Sequence, residues 1–301
     1  MIRNNRYTKT SFVFGMLLLM FLFAGCIKDD LSDCPVTYRL VIQTDPNDNL
    51  QLRSTTNMTN KLVLFIFDEN NNLLDYRRTS PGEVMELTYT GHHLLNAVAW
   101  ANLDGQMNIS SLTPQTPLSS AKVQLLDSKE LSDGKYALSP NDLFFGKKEL
   151  TLTSDTQNQP DILIIQRKIA AMRITAKRLK EYVGTTDSDF TYRVRGSRNT
   201  FDFNGNLTGD DRNYLPLSSF NPNNEFVASS FLVFPSQASK NISVDIFKGN
   251  HLIYTTDKDN NGVPIRTERG KLLDLLIDFS AGVNTSFIIK DWDNKEINQE
   301  F

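Results

Sequence analysis

Cysteine and histidine are scarce in this chain of 301 residues, and their scarcity excludes several classes of protein. The sequence has two cysteines and three histidines. None of His92, His93 and His251 stands at metal-ligand spacing from a cysteine, a carboxylate or another histidine. A Gly-rich phosphate loop, a Ser elbow and a Cys–His pair that would activate a thiolate are all missing as well. We therefore predict no cofactor and interpret the protein as a non-enzyme. A glycosidase stays open as an alternative, because its two catalytic carboxylates meet only in the folded structure and leave no local motif in the sequence.

Helical patterns are also rare, and most of the chain alternates apolar and polar residues with a period of two. Short helices are predicted only at residues 119–126 and 176–182. In residues 36–44, for example, Tyr38, Leu40 and Ile42 alternate with polar side chains, which is typical of a half-buried strand. Turns recur every 8–12 residues, which favours an all-β fold of two antiparallel β-sandwiches with about seven strands each.

The polar stretch at residues 154–160 is the clearest candidate for a domain boundary. It predicts an N-terminal β-sandwich over residues 36–166 and a C-terminal β-sandwich over residues 167–301. Within the first, residues 61–68 are apolar on both faces and should form a central strand. An acidic and Asn-rich turn follows and is expected to close a hairpin into residues 73–77.

The N-terminus has the pattern of an export signal. Arg3, Arg6 and Lys9 precede an apolar stretch at residues 11–25 that is too short for a spanning helix. Two small residues then precede Cys26, and this boundary resembles the bacterial lipobox. The sequence predicts a lipoprotein signal peptide over residues 1–25. An ordinary signal peptide with a chance cysteine is the alternative.

Lipid on Cys26 would hold the mature protein on a membrane. Each buried methylene contributes about 0.8 kcal/mol, so two or three acyl chains make release negligible. Residues 26–35 would then form a lipidated tether. Within it, Lys28, Asp29 and Asp30 resemble the tag that follows the lipidated cysteine in surface-exposed lipoproteins of Bacteroidetes. The alternative is a charged tether exposed to solvent, which would have the same sequence. We predict an outer-membrane location facing the cell exterior.

Charge argues against nucleic acid as a partner. Residues 1–25 contain three Lys/Arg and no Asp/Glu, so their removal changes the net charge from −3 to −6. Nucleic-acid binding requires clustered positive charge. A basic stretch at residues 167–180 alternates with apolar residues, and we interpret it as the solvent face of a strand.

One motif matches a calcium-binding loop. Asp257, Asp259, Asn261 and Glu268 have the spacing of EF-hand ligands. The flanking residues look like strands, however, and Pro264 removes a backbone N–H that such a loop uses. A polar turn is the favoured interpretation, and a weak calcium site is the alternative.

Five segments in order carry a resemblance to a known family: residues 26–35, 64–68, 97–103, 142–146 and 167–174. Together they resemble the FimB-like, Mfa-type fimbrial anchor lipoproteins. The resemblance implies two transthyretin-like β-sandwich domains that hold a type V fimbrium to the outer membrane and limit its length. The implied partners are fimbrial stalk or accessory pilin subunits, bound through strand exchange. In related stalk pilins a protease removes the first strand, so an anchor should remain uncut at Arg53 to keep its lipid.

Two further interpretations stay open. The end of the chain, residues 284–301, would either donate a strand to a stalk subunit or complete its own sandwich. A surface lipoprotein that binds glycan would use Trp100 and Trp292 as stacking platforms, although both lie in apolar runs typical of a core. A host-binding adhesin would use the same scaffold.

Overall fold

The computed structural model describes residues 35–48, 62–103, 107–109, 112–151, 159–237 and 239–291. Strands make up most of these residues, and the described part of the chain has one α-helix, α1, at Leu179–Val183. This confirms the predicted all-β class. In chain order the strands are β1 Pro35–Thr44, β2 Leu62–Phe67, β3 Leu73–Thr79, β4 Val84–Thr90, β5 Leu94–Ala101, β6 Met107–Ile109, β7 Lys122–Leu125, β8 Asp127–Leu131, β9 Gly134–Ala137, β10 Phe144–Thr151, β11 Asp161–Arg167, β12 Ala170–Lys177, β13 Phe190–Asp202, β14 Leu207–Tyr214, β15 Ser218–Phe220, β16 Phe226–Val233, β17 Ser243–Lys248, β18 His251–Thr256, β19 Lys271–Asp278 and β20 Asn284–Asp291.

Seven strands from the first half form one sheet, in the order β3-β2-β5-β10-β11-β1-β4. The pairing between β10 and β11 is short and involves only Phe144 with Arg167 and Phe145 with Gln166. The sheet folds over at this point, so that inward side chains from β1, β4 and β11 share one hydrophobic cluster with those from β2, β5 and β10. Asn71, with φ of 62°, lies in the predicted turn between β2 and β3, where Asp68 Oδ1 accepts the N–H groups of Asn70 and Asn72.

Two further sheets pack against each other, and they contain all the strands that follow β11. One has five strands in the order β15-β16-β12-β19-β20, and the other has eight, with β18-β17-β13-β14-β9-β8 as its main path. Buried side chains from both sheets share a second and larger hydrophobic cluster. Stacking of Tyr192 on Phe226, with ring centroids 4.5 Å apart, joins the two sheets directly.

Three strand pairs differ from the antiparallel arrangement that the sequence predicts. β1 with β11, β12 with β19 and β9 with β14 run parallel. Parallel partners need a long crossover between them, because a tight turn can only reverse the chain. Each of the three sheets therefore contains one parallel pair of strands that are distant in sequence.

The sheets do not divide where the sequence places its boundary. β7 pairs with β13, and β9 pairs with β14, although β7 and β9 precede residue 166 and their partners follow it. The two predicted sandwich ranges, 36–166 and 167–301, stay a prediction about folding units. Hydrogen bonding already joins residues 122–137 to the second half.

One helix prediction is wrong and one is close. Residues 119–126 form a 3-10 turn at Leu118–Ser120 and then strand β7, whose Val123 and Leu125 are buried. Burial of alternate side chains against β13 outweighs the weak helical preference of this segment. The second predicted helix, at residues 176–182, corresponds to α1, which starts three residues later because β12 continues through Lys177.

Candidate functional site

The predicted attachment residues lie outside the described residues. They are Cys26, Lys28, Asp29 and Asp30, and the same holds for Cys34, Arg53, Trp292 and residues 292–301. β1 is the first strand of the described residues, and the predicted tether would lead directly into it. Of the described residues, no helix has the length and apolar character needed to cross a membrane.

Strand β1 is held on both sides by other strands of the chain. Residues 35–41 pair with β4, and residues 40–44 pair with β11. Its inward side chains Val36, Tyr38, Leu40 and Ile42 are buried, as the alternating pattern predicts. The groove that would be open without a first strand is therefore filled by the chain itself.

Polar residues from three of the family-like segments meet at the junction between the two hydrophobic clusters. Arg167 donates from Nε and Nη2 to the two carboxylate oxygens of Asp142 at 2.7 and 2.8 Å. Asn102 Nδ2 donates to the backbone carbonyl oxygen of Asp142 at 2.7 Å. The backbone N–H of Arg167 donates to Asp48 Oδ2 at 2.7 Å. Only 2% of the Arg167 side chain is exposed.

This network connects β11 to the loops before β10 and after β1 and β5. Arg167 is the last residue of β11, and its guanidinium lies 5.3 Å from the centre of the Phe144 ring on β10. Sequence reasoning missed the network because its members are far apart in the chain. The available clue was that Asn102, Asp142 and Arg167 all stand in segments resembling the same family.

Trp100 lies beside this junction and is fully buried. Its ring centroid is 4.8 Å from that of Phe145 and 6.1 Å from those of Phe201 and Phe203. These rings come from β10, from β13 and from the turn after β13, so Trp100 is part of the core that joins the two halves. A buried ring offers no platform for a sugar.

Strand β20 forms one edge of the five-stranded sheet. It pairs along its whole length with β19, from Asn284 opposite Asp278 to Asp291 opposite Lys271. Residues 284–291 therefore complete their own sheet, as one of the two sequence interpretations expects. Among the described strands β19 is the only partner of β20.

The outer edge of β20 is covered at one end by the polar turn that resembles a calcium loop. The N–H of Thr285 donates to Asn260 Oδ1 at 2.7 Å, and the N–H of Asn260 donates to the Thr285 carbonyl oxygen at 3.0 Å. In an antiparallel pair, alternate residues direct their backbone groups away from the partner strand. Because Thr285 does so, Phe287, Ile289 and Asp291 also present their N–H and C=O groups outward.

The four residues of the motif that resembles a calcium loop form other contacts in the structure. Asp259 Oδ1 accepts the N–H groups of Asn261 and Val263 at 2.9 and 2.8 Å, which closes a turn. Asp257 Oδ2 accepts from Asn241 Nδ2 at 3.3 Å, and Glu268 lines a separate cleft. The flanks are strands β18 and β19. Nowhere in the described ranges do three or more His, Cys, Asp or Glu side chains form a group that could hold a metal ion.

The two adjacent histidines lie in the turn between β4 and β5, and His92 takes part in local contacts. His92 Nδ1 lies 3.0 Å from Glu69 Oε2, and the Tyr38 hydroxyl donates to the His92 carbonyl oxygen at 3.1 Å. The hydrogen bond with His92 lowers the pKa of Glu69. These contacts connect the β2–β3 turn to β1 and supply no nucleophile or metal ligand set.

Comparison with known proteins gives a match over almost the entire chain. Residues 31–298 match the family described as fimbrillin-A associated anchor proteins Mfa1 and Mfa2. The chain belongs to this family. It is 26% identical over 291 residues to the major fimbrium anchoring subunit FimB of Porphyromonas gingivalis, covering 92% of this chain and 93% of FimB.

Solved structures of similar fold support the same architecture for this Mfa-type chain. The fimbrial anchor protein Mfa2 of Porphyromonas gingivalis aligns with a TM-score of 0.59 at 12% identity, over 86% of this chain and 98% of Mfa2. A candidate adhesin from Bacteroides ovatus aligns with a TM-score of 0.60 at 14% identity, over 88% of this chain and 96% of the adhesin. At these identities the likeness concerns the fold alone.

Proposed function

We propose that this protein is a surface lipoprotein that anchors a fimbrium to the outer membrane. The observation that carries the proposal is the family match over residues 31–298, together with the similarity to an anchoring subunit over nearly the full length of both chains. Cys26 carries the lipid in this proposal. Lys28, Asp29 and Asp30 direct the protein to the outer face.

The position of β1 suits a strand that transmits force from a lipid to a folded body. Eight residues lie between Cys26 and Pro35, so these nine residue steps would span at most about 30 Å if fully extended. Tension from the membrane would enter at Pro35 and act on a strand whose residues 35–41 pair with β4 and whose residues 40–44 pair with β11. Extraction of β1 would break both ladders and expose its buried side chains, which makes β1 a firm point of attachment.

Contact with fimbrial subunits is assigned to the outer edge of β20. Donation of residues 284–291 to a partner would require β20 to leave β19, with loss of a complete ladder. Addition of a partner strand beside β20 leaves the β19–β20 ladder intact. The outward N–H and C=O groups of Phe287, Ile289 and Asp291 can form hydrogen bonds with the added strand. Ile288, 67% exposed, would then meet a side chain of the added strand.

A variant of the lipidated residue tests the anchor. Cells with Cys26→Ala should release fimbriae into the medium, whereas cells with the wild-type protein should retain them. Cys34→Ala is the matched control, because it removes the other cysteine and leaves the lipid site intact. Cell-bound fimbriae in equal amounts with Cys26→Ala would overturn the proposal.

The proposal includes no catalytic role and no nucleic-acid partner. Glycan binding is a weaker candidate, because burial of Trp100 removes one of the two rings on which it depends. Retention of the wild-type protein on an insoluble polysaccharide column would support glycan binding.

A further inference from the structure

A cleft of about 720 Å³ opens beside the junction of the two hydrophobic clusters, and its charge is opposite to that of the chain. Lys168, in the link between β11 and β12, forms one wall. The loop before β19 forms another and contributes Arg266, Glu268 and Arg269. Three cations thus face one carboxylate, in a protein whose net charge is −3.

None of these three cations forms an ion pair with a carboxylate of the described residues. Within the described part of the chain, no carboxylate lies at ion-pair distance from Lys168 or Arg266. Arg269 donates from Nη1 to the carbonyl oxygen of Arg167 at 3.3 Å, a neutral acceptor. Other cations in the described structure do have carboxylate partners, as with Lys148 Nζ and Asp161 Oδ1 at 2.7 Å.

Lys168 is held in position by rings and not by an acid. Its Nζ lies 5.5 Å from the centre of the Phe145 ring and 5.3 Å from that of Phe201. The charge of Asp202 acts on Lys168 from a distance, but no ion pair joins the two side chains, and Asp202 Oδ1 accepts the N–H groups of Asn204 and Asn206. Burial lowers the pKa of Lys168, and the positive charge of Arg269 lowers it further. An anion in the cleft would relieve both effects.

We infer that this cleft binds a carboxylate-bearing segment of a partner polypeptide. Lys168 and Arg266 supply the positive charges, and Phe201, Leu207 and Pro235 supply apolar walls. A phosphate or sulfate ion would use the charges but leave the apolar walls and most of the volume empty. An acidic peptide provides both carboxylates and apolar stems, and the volume falls within the range of about 300–1,000 Å³ common for ligand sites. The inference holds whether or not the protein anchors a fimbrium.

The test uses the purified full-length lipoprotein in a nonionic detergent and a fluorescein-labelled peptide of ten glutamates, with binding followed by fluorescence anisotropy. Lys168→Met and Arg266→Gln should each weaken binding about tenfold, because each removes a charge-assisted contact. Glu268→Gln should strengthen binding, since it removes the one carboxylate that lines the cleft. Lys129→Met, a change of an exposed lysine on β8, should leave the affinity unchanged.

Three outcomes would overturn the inference. The first is no binding of the acidic peptide at low salt. The second is binding that Lys129→Met weakens as much as Lys168→Met, which would indicate a diffuse electrostatic attraction. The third is equal affinity for inorganic phosphate, or for a sulfated oligosaccharide of similar charge, because the peptide-specific apolar walls would then contribute nothing. Thermal melting of each variant checks that the fold is retained.

Discussion

Arg167 and Asp142 form a bidentate ion pair at the junction of the two hydrophobic clusters, with both hydrogen bonds between 2.7 and 2.8 Å. Asn102 binds the backbone of Asp142, and Asp48 binds the backbone of Arg167, so four separate parts of the chain depend on this pair. It connects β11, the strand that adjoins β1, to the loop before β10.

Arg167→Met should destabilise the protein strongly. It leaves the Asp142 carboxylate, 27% exposed, without its counter-charge, and loss of one partner of a buried pair costs about 3–5 kcal/mol. We expect the lower end of that range, about 3 kcal/mol, because Asp142 retains some contact with water. Urea denaturation measures the change, with Lys129→Met as a surface control. The double variant Arg167→Met/Asp142→Leu should recover part of the loss, and a loss no greater than that of the control would show that the pair contributes little.

Gly146→Ala should destabilise the protein by about 2–3 kcal/mol through overpacking. An added Cβ would lie 2.3 Å from the carbonyl oxygen of Ile164 on β11, and a backbone oxygen cannot move aside cheaply. Gly82→Ala is the matched control. Gly82 has φ of +82° but open space around it, so only conformational strain of about 1 kcal/mol is expected. Thermal or urea unfolding ranks the two, and an equal cost would mean that β10 and β11 can separate freely.

The stability of the wild-type protein relative to Lys168→Met should rise with pH in the alkaline range. Burial lowers the pKa of Lys168 below its usual 10.5, so the unfolded chain binds this proton more tightly than the folded protein. The destabilisation that comes from burying the charged form of Lys168 is fully present below the pKa of the folded state. It disappears as the pH approaches 10.5, the pKa of the unfolded state. Unfolding free energies of both proteins between pH 7 and pH 10.5 give the difference, in which other lysines cancel. A difference that is flat or falls with pH would contradict the expected sign.

Ile288→Lys should weaken association with fimbrial subunits about two- to fivefold while leaving the stability of the isolated protein unchanged. The side chain is exposed on the edge strand β20, and a charge there disfavours an apolar cross-strand neighbour. Co-purification of cross-linked subunits measures association. Leu217→Lys, a change of an 86% exposed leucine outside any strand, is the control. Equal association for both variants would place the contact elsewhere.

Calcium should bind weakly or not at all to the turn at residues 257–262. Asp259 Oδ1 already accepts two backbone N–H groups, and Asn260 Oδ1 accepts the N–H of Thr285, so ligation would require these bonds to break. Calorimetric titration with millimolar calcium should give no binding heat. A saturable heat that Asp259→Asn abolishes would support the calcium alternative.

Period-two alternation predicted individual strands well where strands are long. The burial of Tyr38, Leu40 and Ile42 and the two buried faces of β2 follow from sequence. Short strands such as β8 and β15, with few buried side chains, left no periodic pattern to detect. β7 was predicted as a helix because four residues fit either period, and only contact with β13 decides between them.

The sequence by itself determined the all-β class and the Asn-rich turn after β2, because these depend on local residue types and spacing. For the same reason it predicts an export signal that ends at a cysteine, and it predicts no catalytic site. Tertiary structure decided which strands pair, including the parallel partners of β1 and β12, the crossing of β7 and β9 into the second half, and the meeting of Arg167 with Asp142. The physical reason is that alternation tells which face of a strand is buried but not which strand lies beside it. Pairing of distant strands and charges depends on how the whole chain closes around its two hydrophobic clusters.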